Sequence, residues 1–326
     1  MTTIKASPLA TAIYGYTSAS VQSWSNYGYA LLIIAGADGE VSESEMAWLL
    51  NVHEKMLEAP GEVIEALHSF DFKNHSLEMV LHKISFDVPI NYKRTLIYDA
   101  IKMAHADLFY APAEQKAVHQ AAILLGVPSE VTCALEQIVN MEMAADKMRR
   151  FLLHIEQVSQ EKTSTLESEI VDSISLYVMQ ADGFSREATR LLADYGKALL
   201  TIAGSDGEVS EQEWEWIKNY FKIIDESGED ALEMMEEFDY KNANLAEILS
   251  KIDAKNELPN CRSSLKRTLL YNAIQVAKAD DDYSEKETVE KASKLLGIPK
   301  NEVLLIESLV STEIAIDKMR KTIFDM

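Results

Sequence analysis

The stretch from Tyr27 to Leu49 reads YGYALLIIAGADGEVSESEMAWL, and it decides the fold because the chain contains it twice. Residues 195–217 read YGKALLTIAGSDGEVSEQEWEWI, and sixteen of the 23 positions are identical. Each copy joins an apolar run of helical period to an Asp-Gly turn and then to a Ser-x-x-Glu sequence. Ser-x-x-Glu at such a place is typical of a capping box at a helix start. Both stretches therefore predict a helix, a tight turn and a second helix.

The repetition continues downstream in the same order in both halves of the chain. FDFKN at residue 70 matches FDYKN at 238, and KRTLIYDAIKMAHAD at 93 matches KRTLLYNAIQVAKAD at 266. LLGVP at 124 matches LLGIP at 295, and DKMR occurs at both 146 and 317. An ordered repeat of this length indicates two copies of one domain. We therefore predict an all-α protein with two tandem domains, residues 1–157 and 158–326, and a boundary near Gln157 to Thr165.

A shorter element recurs within each half, in which an Asp that ends a helix is followed seven residues later by a Glu. We expect each Glu to lie in the first turn of the next helix. In three of the elements a serine is expected to cap that helix, namely Ser42 before Glu45, Ser210 before Glu213 and Ser284 before Glu287. Two such helix-turn-helix pairs make each domain pseudo-two-fold, and if they face each other, their carboxylates converge. The element occurs four times, as Asp38/Glu45, Asp107/Glu114, Asp206/Glu213 and Asp280/Glu287.

These eight acidic residues are the candidate site, and they have two interpretations. Carboxylate oxygens together with water suit Ca²⁺, Mg²⁺ or Mn²⁺. Alternatively, the Ser and Glu residues only cap helices, with Gly39 and Gly207 adopting the left-handed conformation after a helix. Capping alone does not explain why the Asp stands four times at one distance from the Glu. The spacing of Gly and Glu does not fit an EF-hand loop.

Composition limits the classes of function. The chain of 326 residues has 53 acidic and 31 basic side chains, a net charge of −22, which argues against binding nucleic acid or anionic membranes. The negative charge is compatible with cations and basic proteins as binding partners. The N-terminus lacks the apolar core of a signal peptide, no stretch is apolar for long enough to insert into a membrane, and the two cysteines do not form a disulfide framework. We therefore predict a cytoplasmic protein.

The sequence also lacks the motifs of common enzymes. It contains no phosphate-binding glycine loop, no GxSxG and no HExxH. The seven histidines all lie in the first half, and His68, His75 and His82 are too widely spaced along a helix to share a metal ion. We therefore predict a non-enzymatic binding or scaffold protein. A purely structural adaptor that engages a basic partner is the alternative, and a metal-dependent hydrolase is a third.

Two further features repeat between the halves. Lys93-Arg94 and Lys266-Arg267 precede equivalent helices, where they are expected either to pair with Asp71 and Asp239 or to contact a phosphate. Trp48 and Trp216 are equivalent, and we expect both in the core, whereas Trp214 is a candidate contact for a partner.

The pattern A-D-G-x-[IV]-S-x-x-E, followed by a second A-D-x6-E and by LLG[VI]P, resembles the TerB-like (tellurite resistance B) superfamily. The resemblance covers nearly the whole chain. It implies two compact domains of about seven helices, each with an acidic face for divalent cations, that dock a protein partner in a stress-response or defence assembly. One departure concerns the second element, since no Gly follows Asp107 or Asp280. The family's acidic positions fall on Asp38, Glu45, Asp107, Glu114, Asp206, Glu213, Asp280 and Glu287.

Overall fold

The structure is a computed structural model that describes residues 2–7, 10–11, 14–86, 92–107, 109–153, 186–222, 226–253, 265–280 and 283–325. Within these ranges the predicted all-α class is confirmed, because fourteen α-helices are accompanied by a single pair of short antiparallel strands. The strands are β1 (Thr3–Lys5) and β2 (Ser18–Ser20), which pair with Ile4 opposite Ala19. No helix in the described ranges is long and apolar enough to cross a membrane.

The first repeat forms seven of these helices. They are α1 (Val21–Ala35), α2 (Glu43–Met56), α3 (Gly61–His68), α4 (Leu77–Leu81), α5 (Tyr92–Ala104), α6 (Pro112–Leu125) and α7 (Ser129–Leu152). Short 3₁₀ turns at Gly36–Asp38 and Phe72–Asn74 follow α1 and α3.

The second repeat forms the other seven helices in the same order. They are α8 (Arg186–Ala203), α9 (Glu211–Lys222), α10 (Glu226–Glu236), α11 (Leu245–Asp253), α12 (Leu265–Val276), α13 (Lys286–Leu295) and α14 (Lys300–Asp325). The 3₁₀ turns recur at Gly204–Asp206 and Tyr240–Asn242.

The described residues pack into two units whose limits differ from those of the repeats. The first unit consists of the described residues up to Ala144 together with those from Ile314 onward, and the second consists of the described residues between Ala145 and Glu313. The repeat boundary expected near residues 157–165 lies outside the described residues. The assignment of domains to 1–157 and 158–326 therefore stays a prediction.

Each unit is built around one nearly enclosed helix. In the first unit this is α1, which packs against α3, α4 and α5, and in the second it is α8, which packs against α10, α11 and α12. Gly28 and Gly196 occupy equivalent places on these helices. A Cβ at Gly28 would overlap Leu67, and one at Gly196 would overlap Met235. The glycines therefore allow the neighbouring helix to approach closely, which explains why this part of the repeat is retained in both copies.

Candidate functional site

The four aspartates of the candidate site all lie exposed in turns between helices. In three of them the carboxylate accepts a hydrogen bond from the backbone amide two residues later. The Oδ1 atoms of Asp38, Asp206 and Asp107 accept from Glu40 N (3.2 Å), Glu208 N (3.3 Å) and Phe109 N (2.9 Å). This is the Asx-turn geometry, so each of these aspartates has a structural role in closing its turn.

Glycine completes the first turn of each repeat. Gly39 has φ 118° and Gly207 has φ 130°, a region of backbone conformation in which side chains other than glycine are strained. Each turn then leads straight into the next helix, α2 or α9. The predicted helix-turn-helix is therefore formed at both places.

Three glutamates of the candidate site are buried and cap the helices that they begin. The Oε2 atoms of Glu45, Glu213 and Glu114 accept from the backbone amides of Ser42, Ser210 and Ala111, each at 2.7 Å. Ser42 and Ser210 accept in return from the amides of Glu45 and Glu213, which completes two capping boxes as predicted. Each of these glutamates is only 3% exposed.

In the first unit, the two helix starts face each other. Helix α6 packs against the Gly36–Asp38 turn, and the carboxyl group of Glu45 lies close enough to Glu114 to act on its pKa. Burial raises the pKa of Glu114 well above its ordinary value, and the neighbouring carboxyl groups of Glu45 and Asp38 raise it further. The predicted convergence therefore joins three of the four carboxylates, and Asp107 closes the adjoining turn.

The second unit gathers an equivalent set of acids. Burial, followed by the charges of Glu285 and Asp280, raises the pKa of Glu213 to about 7. Burial also raises the pKa of Glu285, with Asp206 and Asp280 adding to the effect. The Ser284 hydroxyl lies 3.1 Å from Asp206 Oδ2 and 2.7 Å from Glu285 Oε1, so it links the two turns.

The structure corrects the fourth glutamate, because Glu285 and not Glu287 joins this cluster. Glu285 is 5% exposed, whereas Glu287 is exposed in the first turn of α13. Ser284 does not form the predicted capping box with Glu287, since the residue that precedes α13 is Glu285 and the serine hydroxyl is directed to Asp206 and Glu285.

The sequence contained the signal for this correction. The KRTL matches are offset by 173 residues and the LLG matches by 171, so the turn between them is two residues shorter in the second repeat. With the second offset, Glu285 is the counterpart of Glu114. The seven-residue spacing from Asp to the buried Glu is therefore not kept at this turn, where it is five residues from Asp280 to Glu285.

A cation would have to bind oxygen atoms that the fold leaves available. Glu45 Oε1 and Glu213 Oε1 are buried and receive no hydrogen bond from an amide or hydroxyl group in the described residues. Within the same ranges, however, no three His, Cys, Asp or Glu side chains are already arranged as a metal site. The donor set is therefore suitable in its chemistry, although the described residues do not present it as a formed metal site.

The arginines Arg94 and Arg267 lie in the first turns of α5 and α12, and they are held within the fold, although not by the predicted partners. Arg267 pairs with Glu302 at 2.7 Å, and Arg94 Nη1 donates to the backbone carbonyl of Ile323 at 2.6 Å. Asp71 and Asp239 instead accept hydrogen bonds within their own 3₁₀ turns, so the expected pairing with them is wrong.

The tryptophans differ partly from expectation. Trp48 is buried as predicted, but Trp216 is partly exposed and stacks on Tyr220 at a centroid distance of 5.2 Å. Trp214 is also partly exposed, with the Lys218 ammonium 5.5 Å from its ring centroid.

Comparison with known protein families gives a match in each half of the chain. A family model described as tellurite resistance protein TerB matches residues 29–137 and 188–307, which is once in each repeat. No curated protein matches the chain, and no solved structure does.

Proposed function

Because the chain belongs to the TerB family, we propose that it is a non-enzymatic binding protein whose paired acidic helix starts take up a divalent cation. One observation carries this proposal. Each unit buries two glutamates from different helix starts close together, and in each unit one carboxylate oxygen, Glu45 Oε1 or Glu213 Oε1, has no amide or hydroxyl donor among the described residues. The docking of a protein partner in a stress-response or defence assembly belongs to the same proposal.

The physical argument is the cost of burying like charges. A carboxylate removed from water is unfavourable unless it is neutralised, and a second one beside it adds repulsion. A proton lowers this cost, which is why the pKa of Glu114 and of Glu213 is raised. A divalent cation would lower it too, with water completing its coordination. The ligands would be Glu45, Glu114 and Asp38 in the first unit, and Glu213, Glu285, Asp206 and Asp280 in the second.

The alternative is a structural adaptor without metal, and it also rests on a specific observation. Glu45, Glu114 and Glu213 each cap a helix, and Asp38, Asp107 and Asp206 each close a turn. On this interpretation the acidic residues only stabilise the fold, and the surface engages a basic partner through its negative charge. A metal-dependent hydrolase stays a third candidate, although the chain offers no recognisable activated nucleophile.

Titration with Ca²⁺, Mg²⁺ and Mn²⁺, followed by calorimetry and by melting temperature, separates the first two candidates. A cation that binds only the folded protein, at 100 times its dissociation constant, stabilises it by about 2.7 kcal/mol. The double variant Glu213→Gln with Glu285→Gln should lose the response of the second unit. Glutamine at residue 213 still accepts the capping hydrogen bond, so this variant removes charge while keeping that cap.

Glu211→Gln with Glu287→Gln is the matched control, because it removes the same two charges from exposed positions, each two residues away from a residue of the double variant. We expect this control to respond to the cations as the unaltered protein does. If no cation moves the melting temperature, or if the double variant and the control respond alike, the second unit does not bind cations through these glutamates and the adaptor is favoured. The corresponding variant of the first unit is Glu45→Gln with Glu114→Gln.

A further inference from the structure

The DKMR sequence at Asp146 and Asp317 lies near the end of a long helix in each repeat, α7 and α14. Each helix begins among residues of its own repeat. From Ala145 onward, however, α7 belongs to the second unit, and from Ile314 onward α14 belongs to the first. Both copies of DKMR therefore lie in the unit that the other repeat builds.

In the first unit, the arginine of the second repeat completes a partly buried polar cluster. Tyr98 donates to Glu142 Oε2 at 2.7 Å, and both of these residues belong to the first repeat. Arg320 Nη1 donates to Glu142 Oε1 at 3.0 Å and lies 3.4 Å from Tyr98 Oη. Asp317 accepts from Arg320 Nη2 and so fixes its orientation. The arginine supplies the charge that balances Glu142 together with Lys102.

The second unit contains the same cluster with the repeats interchanged. Tyr271 donates to Glu313 Oε2 at 2.5 Å, and both residues belong to the second repeat. Arg149, from the first repeat, reaches Glu313 Oε1 at 3.5 Å, while Asp146 accepts from its Nη2 at 2.6 Å. Tyr98 and Tyr271, Glu142 and Glu313, and Arg149 and Arg320 are counterparts in the sequence repeat. The same exchange therefore occurs twice, in opposite directions.

The exchanged segments also fill apolar space. Phe324 is 2% exposed in the first unit, where its ring stacks on Tyr14 at 5.9 Å and meets the edge of Tyr98 at 5.4 Å. In the second unit, Leu152 and Leu153 at the end of α7 are buried. Each segment thus contributes both a charged group and core side chains to its unit.

We infer that the two repeats have reciprocally exchanged their C-terminal helical segments, so that neither repeat completes its own unit and the two depend on each other to fold. Removing the arginine from either cluster leaves a mostly buried glutamate with less compensating charge, which is strongly unfavourable. The loss should therefore appear in the unit built by the other repeat.

Hydrogen exchange of the full chain, followed by mass spectrometry, tests this dependence. Arg320→Ala, in the second repeat, should make the amides of α5 in the first repeat exchange roughly tenfold faster or more. Arg149→Ala, in the first repeat, should do the same to α12 in the second. The controls are Lys321→Ala and Arg150→Ala, whose side chains pair with Asp317 and Asp146 on their own helices. These control variants should leave the amide exchange rates of α5 and α12 unchanged.

Faster exchange confined to the repeat that carries the substitution would overturn the inference. If either alanine variant does not fold, Arg320→Lys and Arg149→Lys keep the charge but lose the forked geometry, and the same comparison applies. A protease site inserted among residues 158–165, outside the described residues, gives a second measure. The two fragments should elute together after cleavage, and fragments that separate while keeping their original melting temperatures would contradict the exchange.

Discussion

Asp99 is a fully buried carboxyl group that the candidate site does not use. Tyr14 donates to its Oδ1 and Tyr27 to its Oδ2, both at 2.7 Å. Burial raises the pKa of Asp99 to about 6, although the two tyrosine hydrogen bonds oppose the rise. Its counterpart in the second repeat is Asn272, which donates to Tyr195 at 2.9 Å. The repeat therefore shows that an uncharged amide is accommodated at this position.

The pH dependence of stability should reveal this difference. The pKa of Asp99 is higher in the folded protein than in the unfolded chain, so folding favours the protonated form. The ionised Asp99 therefore lowers the free energy of unfolding above pH 6, and this loss of stability is relieved as the pH falls towards 4. Asp99→Asn should remove that dependence, and the unfolding free energy of the variant relative to the unaltered protein should change by up to about 3 kcal/mol between pH 7.5 and pH 4. Urea denaturation at several pH values measures this, and a constant difference would contradict it.

At the scale of the elements, the turn between α8 and α9 depends on one glycine. Gly207 has φ 130°, and no atom lies within 4 Å of the place that a Cβ would occupy. Gly207→Ala should therefore destabilise the protein through backbone strain alone, by about 1 to 2 kcal/mol. Gly61→Ala is the control, because that site is equally open but begins helix α3 without a positive φ. Urea denaturation should show no loss for the control, and equal losses in both variants would exclude the strain argument.

The same elements show how far sequence reasoning extends. The capping boxes at Ser42 and Ser210 were predictable because the signal is local, with the serine and glutamate three residues apart. Glu285 was not predictable from the D-x6-E pattern, because its place depends on the length of a turn that is two residues shorter in the second repeat. The exchange of Arg149 and Arg320 left no local signal, since the same DKMR sequence would serve equally well within its own repeat.

At the scale of the whole molecule, the net charge of −22 is unevenly distributed. Residues 1–150 have 18 acidic and 11 basic side chains, a net charge of −7, and the remainder has a net charge of −15. Like charges on a folded surface repel, and salt screens this repulsion beyond roughly 8 to 10 Å at physiological strength. Sodium chloride should therefore raise the melting temperature gradually, without saturating at low concentration.

Divalent cations added at constant ionic strength separate screening from specific binding. Screening depends on the whole charge, so Glu213→Gln with Glu285→Gln should keep nearly all of the response to sodium chloride. Site binding depends on the paired glutamates, so the same variant should lose the saturable part of the response to a divalent cation. The loss of this saturable response should be larger for this variant than for Glu45→Gln with Glu114→Gln in the first repeat. The reason is that the second repeat has the larger excess of negative charge and attracts cations more strongly. If the melting temperature rises identically with sodium and with divalent ions at matched ionic strength, the acidic helix starts act through charge and capping alone.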